Sequence, residues 1–141
     1  MTSQEQYNEL AYYTLSHKSP DFIHQNIVDA FTAQVADEKT KPIAIIYALA
    51  GLYLTIIKNY TGREVQLAHI TMSKGSKIFD KIILPESRGS IRVEDVLAIA
   101  PGSERDQMIH QWCISVWKAY SSEQEKVIRM TNNLLQKEND H

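Results

Sequence analysis

The chain has 141 residues, of which 43% are hydrophobic and 23% are charged, values typical of one globular domain that exclude a disordered or fibrous protein. Its 15 basic and 17 acidic residues are interspersed and give a net charge of −2, so we expect no nucleic-acid partner, because such a partner requires a basic face. The single cysteine, Cys113, precludes an internal disulfide, and the polar N-terminus lacks a signal-peptide pattern, which predicts a cytoplasmic protein.

Two helices are predicted at the start of the chain, at about residues 3–16 and 20–36. The apolar stripe of the second helix consists of Ile23, Ile27, Phe31 and Val35. At 100° per residue this stripe places His24 on the buried face and Asp29 on the far side with Gln25. Three side chains are positioned to cap helix starts: Ser19, Thr40 and Ser103.

A third helix is predicted at about residues 41–60, and it is apolar on nearly all sides. Fifteen mostly apolar residues run from Ile43 to Ile57, whereas a membrane-spanning helix needs about 20, so we predict a largely buried central helix and no membrane partner. A stripe of small residues on this helix would let a neighbouring helix approach closely; it consists of Ala44, Ala48, Gly51 and Thr55.

The remaining helices are predicted at about residues 63–73, 93–100, 103–120 and 123–136, and an irregular connection is predicted at about 74–102. Strand-like patterning is confined to 78–84 and 90–93. We therefore predict one all-α domain over residues 1–141, a bundle of five to six helices in which helix accounts for well over half of the residues. Cys113 lies on an apolar face and is expected to be buried and unreactive.

Three histidines on three helices are predicted to point inward: His24, His69 and His110. Bundle interiors are where metal and cofactor sites are built, and neutral imidazole is a common metal ligand. No two histidines have the spacing that places both on one helix face, and no phosphate loop, CxxC, HExxH or nucleophile elbow is present. His24 and His69 are the candidate metal ligands, with no metal at all as the favoured alternative, and Trp112 and His110 complete the candidate ligand-binding set.

Three classes of function follow from these residues. The first is a binding module that holds a small molecule in an apolar pocket between helices, and the second is an interaction protein or homodimer with structural histidines. The third is an enzyme, metal-dependent or His-based, with an interhelical pocket around His24 and His69 that act as ligands or as acid–base groups. The cofactor is unknown and a divalent metal is the alternative to none. We rank binding or interaction above the enzyme.

Several sequence stretches carry a resemblance to a known family: FIHQNIVDAFTAQ, ALAGLYL, YTGREVQLAH, LPESRGSIRVEDVLA and ERDQMIHQWCISVW. Together they resemble DUF5946, a bacterial family of small helical proteins of unknown function. The resemblance covers about residues 11–120 and implies a bacterial cytoplasmic protein, with no known reaction or substrate.

The chain also departs from the family pattern. A second histidine is common in the family where this chain has Asn26. An acidic residue, sometimes with a histidine shortly before it, occurs where this chain has Ile57 and Thr55. If those family residues are metal ligands together with His24 and His69, the resemblance implies that this chain has lost about half of the set, because asparagine, threonine and isoleucine do not replace imidazole or carboxylate at a tight zinc site.

Overall fold

A computed structural model describes residues 1–16, 21–75 and 79–139, with side chains through 136. Helix accounts for 70% of the described residues, and these residues contain no strand, which confirms an all-α fold. The described elements are α1 (Ser3–Ser16), α2 (His24–Val35), α3 (Pro42–Ile56), α4 (Gly62–Met72), α5 (Val93–Leu97), α6 (Ser103–Ala119), a 3-10 turn (Ser121–Glu123) and α7 (Gln124–Asn139). The predicted count of five to six was too low, because seven α-helices are described, including the five-residue α5, which packs on α1 and α6.

Side-chain hydrogen bonds and prolines mark several helix starts, but two of the three predicted N-caps are wrong. Thr40 accepts the N–H of Asp37 in the preceding turn, and α3 begins after it with Pro42. Gly102, with φ 138°, precedes α6 without a side-chain cap from Ser103. The capping box that does form is at α4, where the Thr61 side chain accepts the N–H of Glu64 and the Glu64 carboxylate accepts the N–H of Thr61. Ser19 lies outside the described residues.

The third helix carries the longest run of buried residues in the described chain, from Ala48 to Thr55. It contacts α2, α4, α6 and α7. Its small-residue stripe meets α2 at Gly51, where an added Cβ would lie 1.9 Å from Oδ2 of Asp29. This close approach is the reason for a glycine in mid-helix, where it costs about 1 kcal/mol relative to alanine. None of the described helices has both the length and the hydropathy needed to cross a bilayer.

The irregular segment after α4 is attached to the end of α2 by side-chain hydrogen bonds. Arg88 donates to the carbonyl of Ala36 at 2.8 Å, and its guanidinium also lies at the carbonyls of Ala33 and Gln34. A cation is stabilised there by the negative end of the helix dipole. Gln34 donates to the carbonyl of Ile91 at 2.7 Å and accepts the indole N–H of Trp112 at 3.0 Å. These bonds fix the position of residues 85–92 without regular secondary structure.

Candidate functional site

His24, the first residue of α2, is half-buried against α1. Its Nδ1 lies 2.9 Å from the hydroxyl of Thr14, and that hydroxyl lies 3.1 Å from the carbonyl of Ala11. Because the Thr14 hydroxyl has one hydrogen and the carbonyl only accepts, the arrangement favours Nδ1–H as the donor to Thr14. Burial lowers the pKa of His24, so the ring is neutral at neutral pH.

His69 on α4 is hydrogen-bonded to α3. Its Nε2 lies 2.8 Å from the carbonyl of Tyr47, which can only accept, so Nε2 carries the proton. Burial lowers the pKa of His69, and the hydrogen bond to Tyr47 partly offsets this. The ring also lies against the Tyr47 ring, with centroids 5.2 Å apart. Nε2 is therefore used in a hydrogen bond within the fold, and Nδ1 carries the remaining lone pair of the ring.

The four predicted site residues have separate surroundings. No hydrogen bond or ring contact between described residues joins His24 to His69, and no described group of three His, Cys, Asp or Glu side chains is placed to hold a metal. Trp112 is fully buried and its N–H is bonded to Gln34. The inward orientation predicted for His110 is wrong: it is exposed, beside a surface depression that Asp106 and Gln107 also line.

Asp29 is the interior polar group that the sequence pattern misplaced. It is only 3% exposed, whereas Val35 of the predicted stripe is 48% exposed, so the buried face of α2 is centred on Ala30 and Ala33. Oδ1 of Asp29 accepts a hydrogen bond from Gln25 at 3.1 Å. Oδ2 has no hydrogen-bond partner. Desolvation raises the pKa of Asp29 well above its usual value, and the hydrogen bond from Gln25 partly offsets this shift.

The interior around Asp29 contains further polar atoms from three helices. The hydroxyl of Thr55 donates to the amide oxygen of Asn26 at 3.4 Å, and the thiol of Cys113 donates to the Asn26 carbonyl at 3.6 Å. Burial raises the pKa of Cys113, and the nearby Asp29 carboxyl adds to the shift. A thiol with a raised pKa is a poor nucleophile. These side chains therefore have the properties of packed interior groups, and the Cys113 thiol is not an activated nucleophile.

A groove of about 440 Å³ lies between the α2–α3 turn with the start of α3 and the segment 81–84. Its apolar lining comes from both sides: Pro42, Ile45, Ile82, Ile83 and Leu84. Asp37, Glu38 and Lys81 contribute charges to the lining. Ile83 is 64% exposed beside Ile82, which is 5% exposed, so the groove presents a large apolar side chain to solvent. We call this feature the 81–84 groove.

The α7 side of the 81–84 segment is fixed by two hydrogen bonds. The N–H of Ile83 donates to the carboxylate of Glu123 at 2.6 Å, and Nζ of Lys126 donates to the carbonyl of Lys81 at 2.8 Å. Lys126 and Glu123 also form an ion pair at 3.2 Å. Glu123 is 5% exposed, so this charge is held by a hydrogen bond and a cation inside the fold. The segment is thereby held in place without a neighbouring strand.

The profile described as "Family of unknown function (DUF5946)" matches residues 3–121. The chain belongs to this family. The resemblance of the sequence motifs is thus confirmed, and neither a curated protein nor a solved structure matches the chain.

Within this DUF5946 protein, the match ends two residues before Glu123, so the hydrogen bonds that hold residues 81–84 from α7 come from outside the matched region. Asn26 and Thr55, where the resemblance implied departures from the family pattern, are hydrogen-bonded to each other inside the bundle. The one sequence signal for the groove was the short apolar run ending at Pro85. That run was interpreted as a strand-like segment and not as a binding surface.

Proposed function

We propose that this DUF5946 protein is a protein-interaction module that holds an apolar segment of a partner protein in the 81–84 groove. One observation carries the proposal: an apolar groove is bordered by an isoleucine that is 64% exposed while its neighbour Ile82 is buried. Large exposed apolar side chains at a concave surface are typical of interaction sites.

One wall of the groove supports this function, because it is formed by the packed helix α3. Pro42 and Ile45 of α3 line the groove, and the same helix continues into the buried run Ala48–Thr55. The central position expected for α3 is part of the proposal, since a helix packed by neighbours on several sides provides a rigid wall. A rigid wall lowers the entropy lost on binding.

The surroundings of the histidines favour interaction over catalysis. His24 and His69 each have one ring nitrogen hydrogen-bonded within the fold. Burial raises the pKa of both Asp29 and Cys113, which favours the neutral form of each group. The metal-dependent or His-based enzyme stays a prediction that no observation favours, as does ligand binding by His24, His69, Trp112 and His110. A reducing, cytoplasmic location also belongs to the proposal, because the one cysteine is buried and unpaired.

A random-peptide display library selected on the purified protein tests this function. Ile83→Asp places a charge in the groove at an exposed position, and Ile70→Asp is the matched control, because Ile70 is 53% exposed on α4 and does not line the groove. We expect selected clones to bind the wild type and Ile70→Asp alike and to lose about tenfold or more of their affinity for Ile83→Asp.

Selection that enriches no clones, or clones that bind Ile83→Asp as well as the wild type, would contradict the interaction module. A groove of about 440 Å³ is also within the size range of small-molecule sites. Native mass spectrometry therefore accompanies the selection. A small molecule that copurifies with the wild type and is absent from Ile83→Asp would replace the proposal with a ligand-binding module.

A further inference from the structure

We infer that the partner of the 81–84 groove is an extended, positively charged peptide that adds as a β-strand to the open backbone edge of residues 81–84. This inference rests on the proposed function and specifies the mode of binding and the chemistry of the partner. The observations that carry it are the alternation of burial along the segment, the hydrogen bonds on its α7 side and the charges that line the groove.

The segment has the burial pattern of a strand. Lys81 is exposed, Ile82 is buried, Ile83 is exposed and Leu84 is half-buried. In an extended chain successive side chains point to opposite faces, which produces this alternation. The sequence confines strand-like patterning to 78–84 and 90–93, and the described residues contain no strand because no second strand pairs with the segment. The segment therefore has strand-like burial but lacks a pairing partner.

The hydrogen bonds to Glu123, in the 3-10 turn, and to Lys126, in α7, identify which backbone edge of the 81–84 segment is already occupied. In an extended chain the N–H and C=O of one residue point to the same edge, and those of the next residue point to the other edge. The carbonyl of Lys81 and the N–H of Ile83 are bonded to Lys126 and Glu123. The backbone groups of Ile82 and Leu84 consequently face the opposite edge.

The opposite edge borders the groove. Residues 81–84 line the groove, whereas Glu123 and Lys126 of the α7 side do not. Among the described residues, no hydrogen bond uses the backbone N–H or C=O of Ile82 or Leu84. An unpaired strand edge is a template for another chain, and peptides use this mode to gain main-chain hydrogen bonds. The backbone bends at Glu86, directly after Pro85, and this ends the extended segment, so the added strand is short.

The charges of the groove favour a basic partner. Two acidic residues, Asp37 and Glu38, line the groove together with one basic residue, Lys81. Asp37 is held in its turn because its Oδ1 accepts the N–H of Lys39 at 2.9 Å and lies 3.3 Å from the hydroxyl of Thr40. A fixed carboxylate beside an apolar groove favours lysine or arginine next to the inserted apolar side chains. The partner segment is thus apolar at alternate positions and carries net positive charge.

Synthetic peptides test this mode directly. The probe is the blocked heptapeptide Lys-Val-Thr-Val-Thr-Val-Lys, compared with a Glu-flanked version. Two backbone N-methylated isomers, one modified at the odd-numbered and one at the even-numbered interior residues, complete the set. Titrations are followed by ¹⁵N NMR on the wild type, Ile83→Asp and Ile70→Asp. We expect the Ile82 and Leu84 amide signals to shift, and the Ile83 amide, already bonded to Glu123, to shift less.

A strand pairs through alternate N–H groups only, so one N-methylated isomer should lose about tenfold in affinity and the other about twofold or less. The Glu-flanked peptide should bind about fivefold more weakly, and the difference should shrink at about 0.5 M salt. Equal losses for both isomers, unmoved Ile82 and Leu84 signals, or no binding by any peptide would overturn strand addition. Library clones that still depend on Ile83 would then leave the proposed function standing.

The other occupants give distinct results. A second copy of the chain at this edge would appear as a concentration-dependent dimer that Ile83→Asp dissociates and Ile70→Asp does not, and this would overturn the inference of a separate partner. A helical partner segment would bind with its N–H groups already paired, so a binding peptide that is helical in the complex by NMR would also overturn strand addition.

Discussion

Replacement of Asp29 by asparagine tests the interior of the bundle, because it removes the titration of a buried carboxyl while keeping its shape. Asp29 is 3% exposed, and Oδ1 can still accept a hydrogen bond from Gln25 when an amide replaces the carboxyl. The free energy of unfolding of the wild type should depend on pH through this group, and that of Asp29→Asn should not.

The sign follows from the direction of the pKa shift. The ordinary pKa of an aspartate is 3.8, and burial raises the pKa of Asp29 well above it in the folded state. Well below pH 3.8 the carboxyl is protonated in both the folded and the unfolded state. As the pH rises, the unfolded chain releases this proton while the folded chain retains it, so stability falls until the pH passes the folded-state pKa.

The magnitude is set by linkage: between the two pKa values the wild type loses up to about 1.4 kcal/mol per pH unit relative to Asp29→Asn. The assay is urea unfolding of both proteins from about pH 4 to pH 8, compared as the difference between them at each pH. Asp80→Asn is the control for loss of one charge, because Asp80 is 57% exposed and pairs with an exposed Arg129 at the surface.

Parallel stability profiles for the wild type and Asp29→Asn would refute this reasoning. They would mean that Asp29 is hydrated or paired in the folded protein. The close contact between the carboxyl and Gly51 would then be wrong as well, and with it the packing of α2 on α3.

Three further predictions concern the same interior. Gly51→Ala should lower the free energy of unfolding by about 1–3 kcal/mol in urea melts, because its Cβ would lie 1.9 Å from Oδ2 of Asp29. Asp29→Ala should relieve part of that loss in the double variant, and additive losses would contradict the contact. Cys113 should react with a thiol reagent slowly in the native protein and rapidly in denaturant, and fast native labelling would place it at the surface. His69→Ala should lower the free energy of unfolding by about 1–3 kcal/mol in thermal melts, and His24→Ala should lower it less, because His24 is only half-buried. Elemental analysis should show no change in metal content for either variant. Loss of a bound metal without loss of stability would restore the enzyme hypothesis.

The positions of most helices were predictable from local pattern. The apolar face of α6 was predictable from its own sequence, because large side chains such as Trp112 and Val116 mark one side of a long helix. Cap chemistry was less predictable. Several serines and threonines have suitable spacing, and the backbone geometry around Gly102 and Thr61 decides which starts are capped.

The buried face of α2 was predictable only in part. Its large apolar residues suggested a stripe through Phe31 and Val35, but the helix is contacted by α1, α3, α4 and α6, and its fully buried residues include Ala30 and Ala33. Small residues give a weak hydrophobic signal and allow the closest helix contacts. For this reason Asp29 was assigned to the wrong side, and His24 was placed deeper than it lies.

Sequence alone determined that the chain is helical, that an apolar helix shorter than a membrane span covers most of residues 43–57, and that the family is DUF5946, because periodicity, prolines and motifs are local properties. Only the tertiary structure decided which polar groups lie inside and which apolar groups remain outside. The environment of Asp29 depends on Gly51, 22 positions away, and the orientation of residues 81–84 depends on Glu123, 40 positions away. Such contacts are set by the packing of whole helices, and no local pattern in the sequence encodes them.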